Sequence, residues 1–368
     1  MSTQLSPTPN PTNSLVPADI AKLGDFFVIE KTLQDNGILN TVVTEVKQVY
    51  GSDLTHIDWF TSADFVLFAI LDLYDRALAQ HSLAVLKLLQ QKITRPVCYQ
   101  QIRFLDLVTN SGINLNQFWR GCLFHDLGKI KIPNFILNNT TTNQELLQIL
   151  LNQLLVDKNL LATIAKQTKD ANIPLNSTDE LSAYLKQYNL RAIHLLPVKY
   201  FLPPDELAKL SQVGFATDQP LHDIIKIHEA YSKDILTQKG FVIESELAGS
   251  HHDYRRQGSS ILLEIPELHF IVDAVELIRL ADMTEALSTT RSYTKNSLPL
   301  PKIMSIILDE ATTGKIDLTL AYLWIKEEVD FSAHSTGVPA DWSIVKEKLR
   351  HLFPLTKLPG HQNCLTNC

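Results

Sequence analysis

Apolar residues recur along this chain at spacings of three and four, the period of helices, and almost never in strict alternation. The richest run covers residues 62 to 89, where Phe65, Leu67, Phe68, Ile70, Leu71 and Leu73 are too apolar for a solvated face and predict one long buried helix. A second start is marked by Asn114 with Gln117 three residues on, followed by the apolar run Phe118 to Phe124, with Gly128 as the expected stop. Before them, residues 18–23 and 39–46 form short amphipathic pieces that predict a small N-terminal helical segment. Further on, Leu146, Leu147, Leu150, Leu151, Leu154 and Leu155 fall at helical spacing. Ser177-Thr178-Asp179-Glu180 then opens a helix to Tyr188 with Leu181, Tyr184 and Leu185 on one face. Residues 318–329 and 342–352 complete the series, and the chain is expected to fray from Pro354. Alternating β-branched runs are missing, and the one hairpin-like dipeptide, Asn36-Gly37, follows a helical pattern. The fold class expected is all-α.

Composition narrows the classes. With 368 residues, 45% of them hydrophobic, the chain is long enough for one large or two modest cores. A formal charge of −7 without any basic run argues against duplex nucleic acid as a partner, because phosphate neutralisation needs clustered Lys and Arg. Residues 1–17, rich in Ser, Thr, Pro and Asn, lack the basic start and apolar core of a signal peptide and read as a disordered leader. Asp64, Asp72, Asp75 and Arg76 interrupt the most apolar helix, so no membrane span and a cytoplasmic location are expected. Cys98, Cys122, Cys364 and Cys368 form neither a disulfide scaffold nor a zinc knot.

The candidate chemistry lies in an ordered set: His81, His125-Asp126 with Lys129, His228, His251-His252 and Asp282. Imidazole nitrogen mixed with carboxylate oxygen, without thiolate, suits Fe, Mn, Zn or similar divalent ions. Seven ligands are too many for one ion that must keep a position open. Two ions sharing a carboxylate fit the count better. Adjacent helical residues point about 100° apart, so His125 and Asp126 reach one ion together only where the helix unwinds, in its last turn.

The segment His125-Asp126-Leu127-Gly128-Lys129-Ile130, with Ile132-Pro133 and Ile136-Leu137 beyond it, resembles the signature of the HD superfamily of metal-dependent phosphohydrolases. Within that superfamily the chain is similar to the HD-GYP family over most of residues 62 to 310. Matching positions are His81 in Gln80-His81-Ser82, His228 in Ile227-His228-Glu229, His251-His252-Asp253, and Asp282 with Ala286-Leu287-Ser288 and Arg291-Ser292-Tyr293. The resemblance implies an HD-type helical bundle and two divalent transition-metal ions, with Fe or Mn favoured. His81, His125, Asp126 and Asp282 would hold one; Asp126, His228, His251 and His252 would hold the other. Ala77 stands where some members carry a third-metal glutamate. The implied activity is hydrolysis of a cyclic dinucleotide, cyclic di-GMP to pGpG or GMP, by a water bridging the ions, which a metal pair acidifies from 15.7 toward about 7. Asp126 and Lys129 are the implied catalytic residues. Lys129 and Arg291 are the implied phosphate binders, by charge-assisted contacts.

The chain departs from the family at several places. Tyr254-Arg255-Arg256-Gln257-Gly258-Ser259-Ser260 replaces the Gly-Tyr-Pro loop, with Arg255 and Arg256 either substitute cations or simply solvated, and Ala84 and Ser292 replace an arginine and a proline. Two other classes therefore stand beside the phosphodiesterase: another HD-type nucleotide phosphohydrolase or dinuclear-iron oxygenase, and a catalytically weak cyclic di-GMP receptor. The stretch from Ile136 to His228 is much longer than the family requires, so residues 139–200 read as a helical insertion. Its helical pair carries more leucines than a lid would bury, which favours a homodimer surface. The expected organisation is a leader (1–17), an N-terminal helical segment (18–60), an HD-GYP-like domain (61–330) and a C-terminal helix and tail (331–368).

Overall fold

The computed structural model describes residues 24–54, 59–94, 104–105, 108, 113–188, 190–252, 262–265, 270–289, 297–335 and 341–352. Within these residues the fold is all-α apart from one short β-ribbon. The chain divides into two compact units at Ala79/Gln80. This division lies beyond the boundary expected after residue 60, so residues 62–74 belong to the first unit.

The first unit holds α1 (Phe26–Asp35), α2 (Leu39–Leu54) and α3 (Ser62–Tyr74). Asp25 caps α1 by accepting from the backbone of Phe27 and Val28 at 3.0 and 3.2 Å. The helix ends in a Schellman turn, in which Gly37 N donates to Gln34 O and Ile38 N to Leu33 O. Gly37 takes φ +68°, a conformation that L side chains resist. A capping box of Thr61 and Asp64 starts α3. Phe26, Ile29, Leu33, Val42, Val46, Tyr50 and Phe68 are buried, and the Tyr50 hydroxyl donates to Asp72 at 2.6 Å. The single helix expected over 62 to 89 is broken at Asp75, whose backbone is extended and whose carboxylate accepts from Ala77 N and Leu78 N. Apolar periodicity runs through the break, so only the capping chemistry of Asp75 marks it.

The next helix, α4 (Arg76–Thr94), runs on into the second unit. There follow α5 (Leu115–Leu123), a 3-10 turn (Leu127–Lys131), α6 (Asn134–Leu137), α7 (Asn143–Leu154), α8 (Lys158–Thr168), α9 (Thr178–Gln187) and α10 (Pro204–Gln212). Then come α11 (Leu221–Gln238), α12 (Val242–Gly249), β1 (Leu262–Ile265), β2 (Phe270–Asp273), α13 (Ala274–Ser288), α14 (Leu300–Thr312), α15 (Leu318–Ser335) and α16 (Ser343–Leu352). The strands pair antiparallel, Leu262 opposite Asp273 and Ile265 opposite Phe270. They are too short to show alternation, which is why the sequence carried no strand signal.

Close helix approach organises the middle of this unit. A Cβ added to Gly121 on α5 would lie 2.8 Å from Leu247 on α12, so the two helices meet where only hydrogen fits. The same pair is joined by Arg120 and Glu244 at 2.8 Å, with the guanidinium 4.5 Å over the Phe241 ring.

The insertion differs from its expected form. Its described residues hold three α-helices rather than two, because α8, capped by Asp157, lies between the two predicted ones. Leu146, Leu147, Leu150, Leu151, Leu154, Leu160, Ile164, Leu181, Tyr184 and Leu185 bury one another in a core of their own. The leucines that favoured a dimer surface are thus mostly consumed internally, with Leu155 left exposed.

A buried cation joins α4 to α15. Lys92 is fully buried, pairs with Glu327 at 2.6 Å and with Glu328, and lies 4.2 Å from the Trp324 ring. Replacing Lys92 with methionine leaves both carboxylates buried without their cation. The expected loss is about 3–5 kcal/mol, read by denaturant unfolding. Loss of less than 1 kcal/mol, on the order of a surface pair, would show that the carboxylates find other partners.

Candidate metal centre

The centre is assembled from five elements of the second unit. His81 comes from α4, the His125-Asp126 pair from the turn after α5, His228 from α11, His251 and His252 from the turn after α12, and Asp282 from α13. The expected geometry of the pair needs correction. Helix α5 stops at Leu123, so His125 and Asp126 lie beyond its last turn, and Gly128 sits inside the 3-10 turn rather than ending a helix. Gly128 is required for a different reason. A Cβ there would lie 2.0 Å from the His228 carbonyl oxygen and 2.5 Å from Ser232 N. Gly128 N donates to the Ser232 hydroxyl at 2.7 Å, and that hydroxyl donates to the His125 carbonyl at 2.9 Å. These contacts bolt the turn that bears two ligands onto the helix that bears a third.

Asp126 lies at the middle, and its two oxygens face different ways. Oδ2 is 3.5 Å from His81 Nε2 and 3.4 Å from His125 Nε2, whereas Oδ1 is 3.3 Å from His228 Nε2 and 3.7 Å from His251 Nε2. Asp282 Oδ1 is 3.0 Å from His81 Nε2 and 3.9 Å from His125 Nε2. Two ligand groups result, one of His81, His125 and Asp126, the other of Asp126, His228, His251 and His252, each with its donor atoms within 4.8 Å of one another. All are buried except His252, which is exposed.

The protonation pattern explains what such a cluster can hold. His125 Nδ1 donates to Cys122 O, His228 Nδ1 to Ile225 O and His251 Nδ1 to Ala248 O, at 2.6–2.7 Å. A carbonyl oxygen can only accept, so in each neutral ring the proton is on Nδ1 and the Nε2 lone pair points inward. His228 Nε2 and His251 Nε2 then face each other at 3.3 Å, lone pair to lone pair. His125 Nε2 and Asp126 Oδ1 are buried with no hydrogen-bond partner. Buried lone pairs crowded in this way are costly unless a cation lies among them. The residues therefore fit a metal ion, and these buried His and Asp groups can hold one.

Electrostatics divide the cluster in the same sense. Burial, then neighbouring imidazoles and Lys129, press His228 down to about 4 and His251 well below the usual range, so both are neutral donors at pH 7. His81 and His125 are also pressed down by burial. Asp126 and Asp282, with Glu285 beside His81, outweigh it and hold them up at about 10 and about 9. Asp126 and Asp282 stay ionised: burial opposes this, but Lys129 and the histidines beside Asp126, and His125 and His81 beside Asp282, keep both well below the usual carboxylate range. The site attracts positive charge, which a divalent ion supplies by displacing protons.

Lys129 Nζ lies 2.5 Å from Asp126 Oδ2 and so caps the shared carboxylate. Arg291, Arg255, Arg256 and the remainder of the Gly-Tyr-Pro replacement lie outside the described residues. His222 meets His194 edge to face with ring centroids 4.5 Å apart and takes no part in the cluster.

Two contributors were missed by the sequence reading. Ser232 carries no chemical signature; only the packing of α11 against the turn reveals it. Glu285 could have been found, because it lies three residues after Asp282 on one helical face. It accepts from His81 Nδ1 and so does for His81 what backbone carbonyls do for the other three rings, with a full negative charge. Glu285→Gln is expected to weaken metal binding by about 10–100-fold, read by competition with a chelator, while Glu285→Asp retains part of the affinity. Equal affinities in all three proteins would remove Glu285 from the site.

Among the described residues no helix is long and apolar enough to cross a membrane. Comparison of the chain with family models, with curated proteins and with solved structures found no match.

Proposed function

We propose that this protein is a metal-dependent phosphodiesterase of the HD type that uses two divalent ions, Fe or Mn, to hydrolyse a cyclic dinucleotide, cyclic di-GMP being the first candidate. The observation that carries the reading is the division of Asp126 between two histidine groups, Oδ2 toward His81 and His125 and Oδ1 toward His228 and His251. A carboxylate shared in that way is what a two-ion site needs, and the HD-GYP resemblance of the ordered ligand set supplies the reaction class. When bound, such ions acidify a water and neutralise charge on the phosphate under attack.

The chain's own residues have separable tasks. His81, His125 and Asp282 hold one side of the centre, and His228, His251 and His252 hold the other. The Nδ1 contacts to Cys122, Ile225 and Ala248 lock the three buried rings in the ligating tautomer. Lys129 presents an ammonium beside Asp126, where it can pair with a non-bridging phosphate oxygen. His252 is the one exposed member of its ligand group.

The test is turnover. Protein purified without oxygen and loaded with Fe(II) or Mn(II) is expected to linearise cyclic di-GMP, and Asp126→Asn to reduce the rate by at least about a hundredfold. Binding without turnover would favour the receptor reading. Equal turnover by the variant would assign the activity to a contaminant.

A further inference from the structure

A second site lies between the insertion and the turn after α14, where the Lys315 carbonyl accepts from Arg279, the side chain that also donates to the His251 carbonyl. A cavity of about 510 Å³ opens there, with Lys186, Arg191 and Lys315 among its lining residues and Glu310 as the one carboxylate among them. Lys315 pairs with Glu310 at 2.8 Å. Lys186 and Arg191 have no carboxylate partner among the described residues, in a chain whose formal charge is −7. Burial first, then His222, Arg191 and Lys315, push the neighbouring His194 down to about 4. The remaining wall is amphipathic, with the side chains of Leu147 and Leu185 beside Ser182. No lining residue belongs to the metal-ligand set.

We propose that this cavity binds a small oxyanion, phosphate or carboxylate, attached to an apolar body. Its volume lies in the range of small-molecule pockets. Lys186 and Arg191 supply charge-assisted hydrogen bonds to the anion, Arg191 in the forked geometry that suits a planar or tetrahedral oxyanion. The leucine side chains cover the apolar part, which sets such a ligand apart from inorganic phosphate. The proposal is independent of the reaction carried out at the metal centre.

The experiment is calorimetric titration of the metal-loaded full chain with 1-naphthyl phosphate, 1-naphthoate and inorganic phosphate. One or both naphthyl compounds are expected to bind, and more tightly than inorganic phosphate; which of them does so identifies the oxyanion. The double variant Lys186→Gln/Arg191→Gln should weaken that binding at least about tenfold, the minimum for losing charge-assisted contacts. Both residues are exposed, so the fold is not at risk. Ser182→Phe, which fills the cavity and keeps its charge, should weaken it similarly. Asp126→Ala, which disables the metal centre, should leave it unchanged. The proposal is overturned if neither naphthyl compound binds at millimolar concentration. It is equally overturned if inorganic phosphate binds as tightly, if either cavity variant keeps wild-type affinity, or if Asp126→Ala abolishes binding.

Discussion

Asp126→Ala is expected to abolish transition-metal binding altogether, rather than to empty half of the centre. Each oxygen of this carboxylate faces a separate pair of imidazoles, so its removal takes a ligand from both groups at once. Changes outside the ligand sphere cost about 10–100-fold in affinity, and loss of a shared ligand should exceed that range. Metal analysis after anaerobic purification reads the stoichiometry directly. Thermal unfolding supplies an independent measure, because an ion that binds only the folded chain raises Tm. Chelation should lower the Tm of the wild type and leave that of the variant where it is. A variant that keeps the metal content of the wild type would show that Asp126 bridges nothing, and the two-ion reading would fall with it.

Gly128→Ala is the second large effect, and it separates assembly of the site from its chemistry. One methyl group is added, and no ligand is touched. The new carbon would stand 2.0 Å from the His228 carbonyl and 2.5 Å from Ser232 N, and both are backbone atoms of α11 that cannot swing aside as a side chain would. Overpacking costs about 1–3 kcal/mol where side chains can adjust, so this substitution should reach or exceed the top of that range. The turn and α11 must part, which draws His125 and Asp126 away from His228. Both a lower unfolding free energy and weaker metal binding are expected, with Ser232→Ala giving a milder form of each because it loses two hydrogen bonds and adds no atoms. Wild-type stability in Gly128→Ala would mean that the turn and the helix are not held in register.

What the sequence by itself determined is local or additive. The helical period placed most of the helices, and cap chemistry such as Ser177 ahead of Glu180 marked where one of them starts. The residue types at His81, His125, Asp126, His228, His251, His252 and Asp282 specified a donor set for a transition metal, and the structure brings these residues together. Helix ends and donor chemistry depend on a few neighbouring residues, so a linear reading reaches them.

Only the tertiary structure decided the rest, because each remaining feature depends on residues far apart in the chain. The leucines of α7 read as a free surface until α8 and α9 were seen to cover them. Gly128 read as a helix stop, yet its lack of a side chain serves an approach to α11 a hundred residues later. No sequence pattern marks Lys92, which is buried against Glu327, 235 positions on. Glu285 meets His81 across 204 residues, and the tautomers of the ligating rings are set by carbonyls whose direction no sequence pattern encodes. Periodicity fixes which face of a helix is apolar, but packing chooses the face it meets. That choice turns seven scattered side chains into one centre.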